Sequence, residues 1–292
     1  MKGYIIRAAF LGLCLLAVKA GAQQGPSVDF TMWNIGEKDA RYVFSDTAYV
    51  RSGPSIKSQA LDTLLAGDEI TVMSTGKEPF TLKGITARWL SITYTKNGTP
   101  RQGYIWEGLV SFTPMRRGTM KFVYGLNRIV DSSYVLDGEK FSAKIYQMGL
   151  KAVSEGRVQD VTYFKIMGDE SSSFTEGSVT GGRGMQNIQQ LVCMNFGGEA
   201  CGVPTYHHYY GWTGTKLLPV LQLMDVGDAD VYYHTEVLIL PQDKGGKSGM
   251  LLVREEEGEE SGKTDKNGMN IMTEKKRTIR YTWNGEKAVP VK

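Results

Sequence analysis

The sequence predicts an all-β fold, and three observations carry that prediction. Short runs rich in Val, Ile, Thr, Tyr and Trp recur along the chain, each ending in Gly, Asn or Asp, the pattern of strands closed by turns. The 35 glycines among 292 residues suit a chain that reverses direction often. Helical spacing of apolar residues is scarce: only 143–158, AKIYQMGLKAVSEGRV, is open to a helix, and its periodicity is poor. The length favours two domains over one. The expected architecture is a small barrel followed by a larger antiparallel β domain, propeller-like or a sandwich.

The chain opens with the pattern of a secretory leader. Lys2 and Arg7 form a basic start, 8–18 (AAFLGLCLLAV) is an apolar stretch, and Ala20-Gly21-Ala22 is a cleavage signature before Gln23. The stretch is shorter than the roughly 20 residues of a membrane span. Cys14 lies inside it, without the small preceding residue that lipid attachment needs. Residues 1–22 are therefore expected to be a signal peptide, with the mature protein periplasmic or extracellular and no transmembrane segment left after cleavage. The chain has 34 basic and 31 acidic side chains, and the leader holds Lys2, Arg7 and Lys19 but no acid, so the remainder is balanced. No basic field is left to draw nucleic acid, and there is no basic amphipathic helix for a membrane surface.

Taken in order, the strands of the first part, 27–112, include EITVM (69–73), RWLSITYT (88–95) and GYIWEGLV (103–110). Between them, 77–87 (KEPFTLKGITA) reads as an elaborated loop. Pro and adjacent arginines in 112–118 (FTPMRRG) read as a linker. The second part, 119–292, continues with KFVYGL (121–126) and VYYHTEVLIL (231–240). Low hydrophobicity and blocked charge, including REEEGEES, make 242–276 a long solvated loop or hairpin excursion.

A repeat marks this second part. Tyr134, Leu136, Gly138 and Lys140 match Tyr210, Trp212, Gly214 and Lys216, and again Tyr281, Trp283, Gly285 and Lys287. The Asp-Gly, Thr-Gly and Asn-Gly pairs at their centres suit tight hairpin turns, where positive φ is wanted. Repeated hairpins of this kind are compatible with propeller blades.

Residues 43–110 resemble a bacterial SH3 domain. Ala48-Tyr49-Val50-Arg51-Ser52-Gly53-Pro54-Ser55 is similar to the family's opening strand and turn. LDTLLAGDEITVM (61–73) carries its Leu-x-x-Gly-Asp, with Gly67 and Asp68 in place. Trp89-Leu90-Ser91-Ile92 fits its Trp-led strand, and Gly103-Tyr104-Ile105-Trp106 its closing motif, with Tyr104 for the usual Trp. The residues agree with the resemblance: Pro54 cannot donate to a ladder, and Val50, Ile70, Val72, Leu90, Ile92 and Ile105 alternate with polar neighbours. The resemblance implies an SH3-like barrel that attaches an envelope protein to peptidoglycan, a glycan or a protein partner. Tyr49, Arg51, Trp89, Tyr104 and Trp106 are the candidates for its groove, since aromatic faces take sugar rings or proline-rich peptides and Arg takes a carboxylate. Ala48-Tyr49 departs from the family's usual Leu-Asn and adds an aromatic. Residues 199–204 (EACGVP) and 228–241 resemble stretches of uncharacterised secreted proteins of the Bacteroidetes, which implies no activity.

Two cysteines survive cleavage, Cys193 and Cys201. In an oxidising compartment two lone cysteines this close are expected to pair, stabilising by about 2–3 kcal/mol. Free thiols or a metal site are the alternatives, with His207 and His208 the only further ligands nearby. Exported proteins with SH3-like domains are often wall hydrolases, which use a Cys nucleophile with a separate His. A disulfide removes that nucleophile. His207 and His208 are adjacent, so on a strand they face opposite ways, and with His234 they make a poor zinc set. Gly246-Lys247-Ser248 lacks the surroundings of a phosphate loop. Asp225, Asp228 and Asp230 have calcium-loop spacing without the full pattern. No cofactor or resident metal is expected. The reading is a non-enzymatic envelope binding or tethering protein. A cell-wall hydrolase, or an accessory subunit of an envelope assembly, is the alternative.

Overall fold

The computed structural model describes residues 32–136, 138–198, 200–229 and 231–291. The expected leader, 1–22, lies outside the described residues, as does Asp230. The chain is all-β, in antiparallel sheets. No helix among the described residues is long and apolar enough to cross a membrane.

The first part forms a curled six-stranded sheet. Its strands are β1 (Ala40–Tyr42), β2 (Thr47–Arg51), β3 (Ala60–Leu65), β4 (Glu69–Leu82), β5 (Ile85–Lys96) and β6 (Thr99–Trp106), in the order β1-β4-β5-β6-β2-β3. β2 stops at Arg51, before Gly53 and Pro54, as the missing proline N–H requires. β3 turns into β4 at Gly67, whose φ of 85° is left-handed. There the Asp68 carboxylate accepts from Leu65 N at 2.8 Å. Val50, Ile70, Val72, Leu90, Ile92 and Ile105 all close on one buried core, as their alternation predicts. Residues 77–87 are not a loop. They form the end of β4, a turn at Lys83 and Gly84, and the start of β5.

The second part holds two sheets. A four-stranded sheet is ordered β10-β9-β8-β7, from β7 (Met115–Arg117), β8 (Met120–Leu136), β9 (Glu139–Ser154) and β10 (Arg157–Met167). The linker expected at 112–118 is therefore structural: β7 occupies it, and Phe112 and Met115 are buried. The possible helix at 143–158 is the second half of β9, a turn at Glu155 and Gly156, and the start of β10. The other sheet is one eight-stranded meander. It comprises β11 (Phe174–Gly181), β12 (Gln190–Gly197), β13 (Thr205–Trp212), β14 (Leu217–Asp228), β15 (Tyr232–Ile239), β16 (Met250–Thr264), β17 (Asn270–Trp283) and β18 (Ala288–Pro290). Separate propeller blades do not form. Instead the four-stranded sheet faces β12 and β13, with Phe122 against Trp212 and Tyr124 against Phe196, in the manner of a sandwich.

Of the segment 242–276, expected as a long solvated loop or hairpin excursion, the hairpin is what forms: β16 and the first half of β17 pair across it. The reason is cross-strand charge. Glu255, Glu256 and Glu257 stand opposite Arg277, Lys276 and Lys275, so the acidic block meets a basic one. The three repeats are hairpins, but of two kinds. Leu136 pairs with Glu139 around a two-residue turn. Trp212 pairs with Leu217, and Trp283 with Ala288, around four-residue loops. In both longer loops one side chain caps the turn. Thr213 Oγ1 accepts from Thr215 N and Lys216 N, and Asn284 Oδ1 accepts from Glu286 N and Lys287 N.

The two parts share their interior. Trp89 and Trp106 of the curled sheet lie in the same core as Phe122, Phe196 and Trp212. A second joint is Phe44, which packs on Gly125 and Gly149, paired directly across β8 and β9. A Cβ at Gly125 would stand 2.7 Å from the Phe44 ring, so only glycine admits it. The buried Lys151 completes this joint, donating to Phe44 O and to Asp46 Oδ1, each at 2.7 Å.

Candidate functional site

The five residues expected to form a groove do share a face. Tyr49 and Arg51 flank the inward Val50 on β2; Arg51 pairs with Tyr104, and Trp106 with Trp89. That face is open at one end only. Tyr49 is 52% exposed, and the Arg51 guanidinium carbon lies 5.7 Å from the centre of its ring. Arg51 Nη1 donates to Ser58 O at 2.8 Å, which fixes the side chain over the ring. Tyr104 is half-buried beside the shared core. Trp89 and Trp106, at 5% and 3% exposure, are not available to a ligand. Trp106 Nε1 donates to Phe80 O and Ala87 O at 3.1 and 3.2 Å, and Phe80 meets its ring edge-on. The groove assignment fails for these two because the second part of the chain covers that end of the face, and no local pattern records this.

A second set of polar side chains lies on the face of the eight-stranded meander turned away from the four-stranded sheet. Cys193 pairs with Tyr209, and Asn195 with His207. The Cys193 thiol donates to Asn195 Oδ1 at 3.2 Å. His207 Nδ1 lies 2.8 Å from the same oxygen, and its Nε2 lies 2.9 Å from Asp225 Oδ2. Burial works against the Asp225 anion, but His207 and the N–H of Glu236 hold its carboxyl below the ordinary value. Cys193, Asn195, His207, Tyr209, Leu238 and Leu240 line a common cavity of about 290 Å³.

The expected disulfide does not form: Cys193 and Cys201 are both free thiols. Cys193 sits within β12 at the level of Tyr209 and Leu221. Beyond the end of that strand, the residue after Cys201 donates from Gly202 N to Gly227 O. Strands advance by about 3.3 Å per residue, so the two levels differ by roughly 20 Å, against the 4.4–6.8 Å between Cα atoms that a disulfide needs. Short sequence separation does not bring residues together when an extended strand lies between them. Freedom from a disulfide does not activate Cys193. Burial pushes its thiol up to about 11, opposite to the shift a nucleophile needs.

His208 points the other way, into the core, against Phe164 and Phe196 at 5.1 and 5.5 Å between ring centres. Burial, with repulsion from His207, lowers it to about 4. The adjacent histidines thus separate, as alternation requires. Of the aspartates at calcium-loop spacing, Asp225 is committed to His207 and Glu236 N, and Asp228 closes β14 opposite Tyr232.

Further along the same face, β15 and β16 bring together groups that are apart in sequence. His234 pairs with Glu257 and Glu236 with Glu255, while Glu255 pairs with Arg277 of β17. Glu255 is only 3% exposed, and Arg277 holds it with Nε and Nη2 at 2.6 and 2.8 Å from its two oxygens. His234 Nδ1 lies 3.3 Å from Glu257 Oε1, and its Nε2 lies 3.6 Å from Glu236 Oε1. Glu236 in turn accepts from Met224 N at 2.8 Å, clasping β14 to β15. The carboxylate partners of His234 become visible only through strand register. No protein-family profile, curated protein or solved structure matches this chain.

Proposed function

We propose that this is an exported, non-enzymatic cell-envelope binding protein that attaches to peptidoglycan through the outer face of its curled six-stranded sheet. The observation that carries the reading is the exposed Tyr49 ring with the Arg51 guanidinium held against it on a rigid strand. A flat aromatic surface suits a sugar ring, and an adjacent guanidinium suits a carboxylate of the kind that peptidoglycan stems carry. Tyr104, beside Arg51 in the ladder, borders the same surface. The resemblance of 43–110 to bacterial SH3 domains and the leader-like 1–22 supply the compartment and the partner class.

The test is retention of the full chain on purified sacculi, with soluble muropeptides as competitor. Retention that muropeptides compete away, and that Tyr49→Ala or Arg51→Ala weakens at least about tenfold, agrees with the reading, as loss of about 1.4 kcal/mol would do. Unchanged retention in variants that still fold would discard this surface. Retention by neither wild type nor variants would discard peptidoglycan as the ligand.

A further inference from the structure

We propose that His234, Glu257 and Glu255 form a binding site for a divalent first-row transition-metal ion, zinc being the probe of choice. One imidazole nitrogen and one oxygen from each carboxylate converge, all within 4.8 Å of one another. His234 Nδ1 and Glu257 Oε1, 3.3 Å apart, already stand at the separation expected of two ligands of one ion. With metal–ligand bonds of about 2.0–2.2 Å, tetrahedral neighbours lie about 3.4 Å apart. The remaining pairs need to close by roughly an ångström, within reach of rotation in the glutamate side chains.

The surroundings support the site independently of those three donors. A metal-binding histidine usually gives its other ring N–H to a carboxylate, which fixes the tautomer. Glu236 is placed to receive it: its Oε1 faces His234 Nε2, while its other oxygen is anchored by Met224 N. Arg277 holds Glu255 from the far side. Each carboxylate oxygen has two lone pairs, so Glu255 can keep Arg277 and still offer one to an ion.

Charge points the same way. Glu236, Glu255 and Glu257 surround His234, with Arg277 seated on one of them and Lys275 opposite Glu257 in the ladder. The positions are set by backbone register in three adjacent strands, so the donors are presented without ordering a loop. Imidazole with two carboxylates suits zinc or manganese better than calcium, which prefers oxygen ligands alone. Three protein ligands on the half-exposed Glu257 side leave a coordination position open to water or to an exogenous group.

The experiment uses the full chain, stripped with chelator and dialysed against zinc. Bound metal is counted by elemental analysis, and affinity is read by calorimetry. One zinc per chain is expected. Glu257→Gln and His234→Ala should weaken binding at least about 100-fold, and Glu236→Gln about 10–100-fold, as loss of an outer carboxylate does. Circular dichroism checks folding, and Glu257→Gln, at a half-exposed side chain, serves if His234→Ala does not fold. Cadmium-113 resonances at shifts of nitrogen and oxygen ligation would agree with the site. Thiolate shifts would overturn it by placing the metal on a cysteine. So would no zinc retained by the wild type at micromolar concentration, or stoichiometric zinc in folded Glu257→Gln at unchanged affinity.

Discussion

Lowering the pH from 7.5 to 5 should destabilise this protein through His208 in particular. The imidazole is packed between Phe164 and Phe196, and burial together with His207 lowers its pKa from 6.5 to about 4. Between those values the unfolded chain binds a proton at this position and the folded chain does not, so stability falls as pH drops through the window. At pH 5 the shift corresponds to about 2 kcal/mol of lost stability, and below pH 4 to about 3 kcal/mol. His208→Phe keeps a ring among rings and removes the proton site. Urea unfolding of both proteins at pH 7.5 and pH 5 isolates the effect, because every other ionisable side chain is common to the two. The wild type should lose about 2 kcal/mol more than the variant over that interval. Equal losses would show that His208 is solvated or ion-paired, and the packing argument would fail.

Three further outcomes follow from described contacts. Gly125→Ala should destabilise by about 1–3 kcal/mol, because the new methyl meets the Phe44 ring; an unchanged thermal midpoint would show that Phe44 does not hold the two parts together. Glu107 is buried, and desolvation raises its carboxyl above the ordinary value despite the hydrogen bond from Arg88 N. Its charged form therefore weighs against folding at neutral pH, and Glu107→Gln should raise the urea midpoint at pH 7.5, with the gain shrinking as the pH is lowered toward the carboxyl range. A lower midpoint at pH 7.5 would contradict the account. Alkylation at pH 8 should modify the exposed Cys201 rapidly and Cys193 slowly in the folded protein. Mass spectrometry showing the two sulfurs joined would refute the placement of these residues.

Patterns that act over a few residues were legible in advance. Alternation placed six inward side chains of the curled sheet, from Val50 to Ile105, and turn chemistry placed the reversal at Gly67 and Asp68. What escaped depends on partners distant in the chain. REEEGEE reads as solvated until the KKR block of 275–277 is set beside it. Trp89 and Trp106 stand between groove and core on local residues alone, and the shared core with the strands from Met120 onward decides for the core. The segment 143–158 mixes two strands and a turn, so its apolar residues fit neither period cleanly. The cluster around His234 is invisible for the same reason: two strands must align before one imidazole meets three carboxylates.

The joint at Phe44 and the tryptophans behind it bear on how such a chain can be inherited. A fragment ending near residue 112 would carry Trp89, Trp106 and Phe112 without the sheet that shelters them, and Phe44 without its glycine seat. The curled sheet is therefore not a portable cassette that recombination can attach to an unrelated protein. Its sequence and that of the sandwich must change together, glycine for ring, across a boundary that looks like a linker when only the local residues are read.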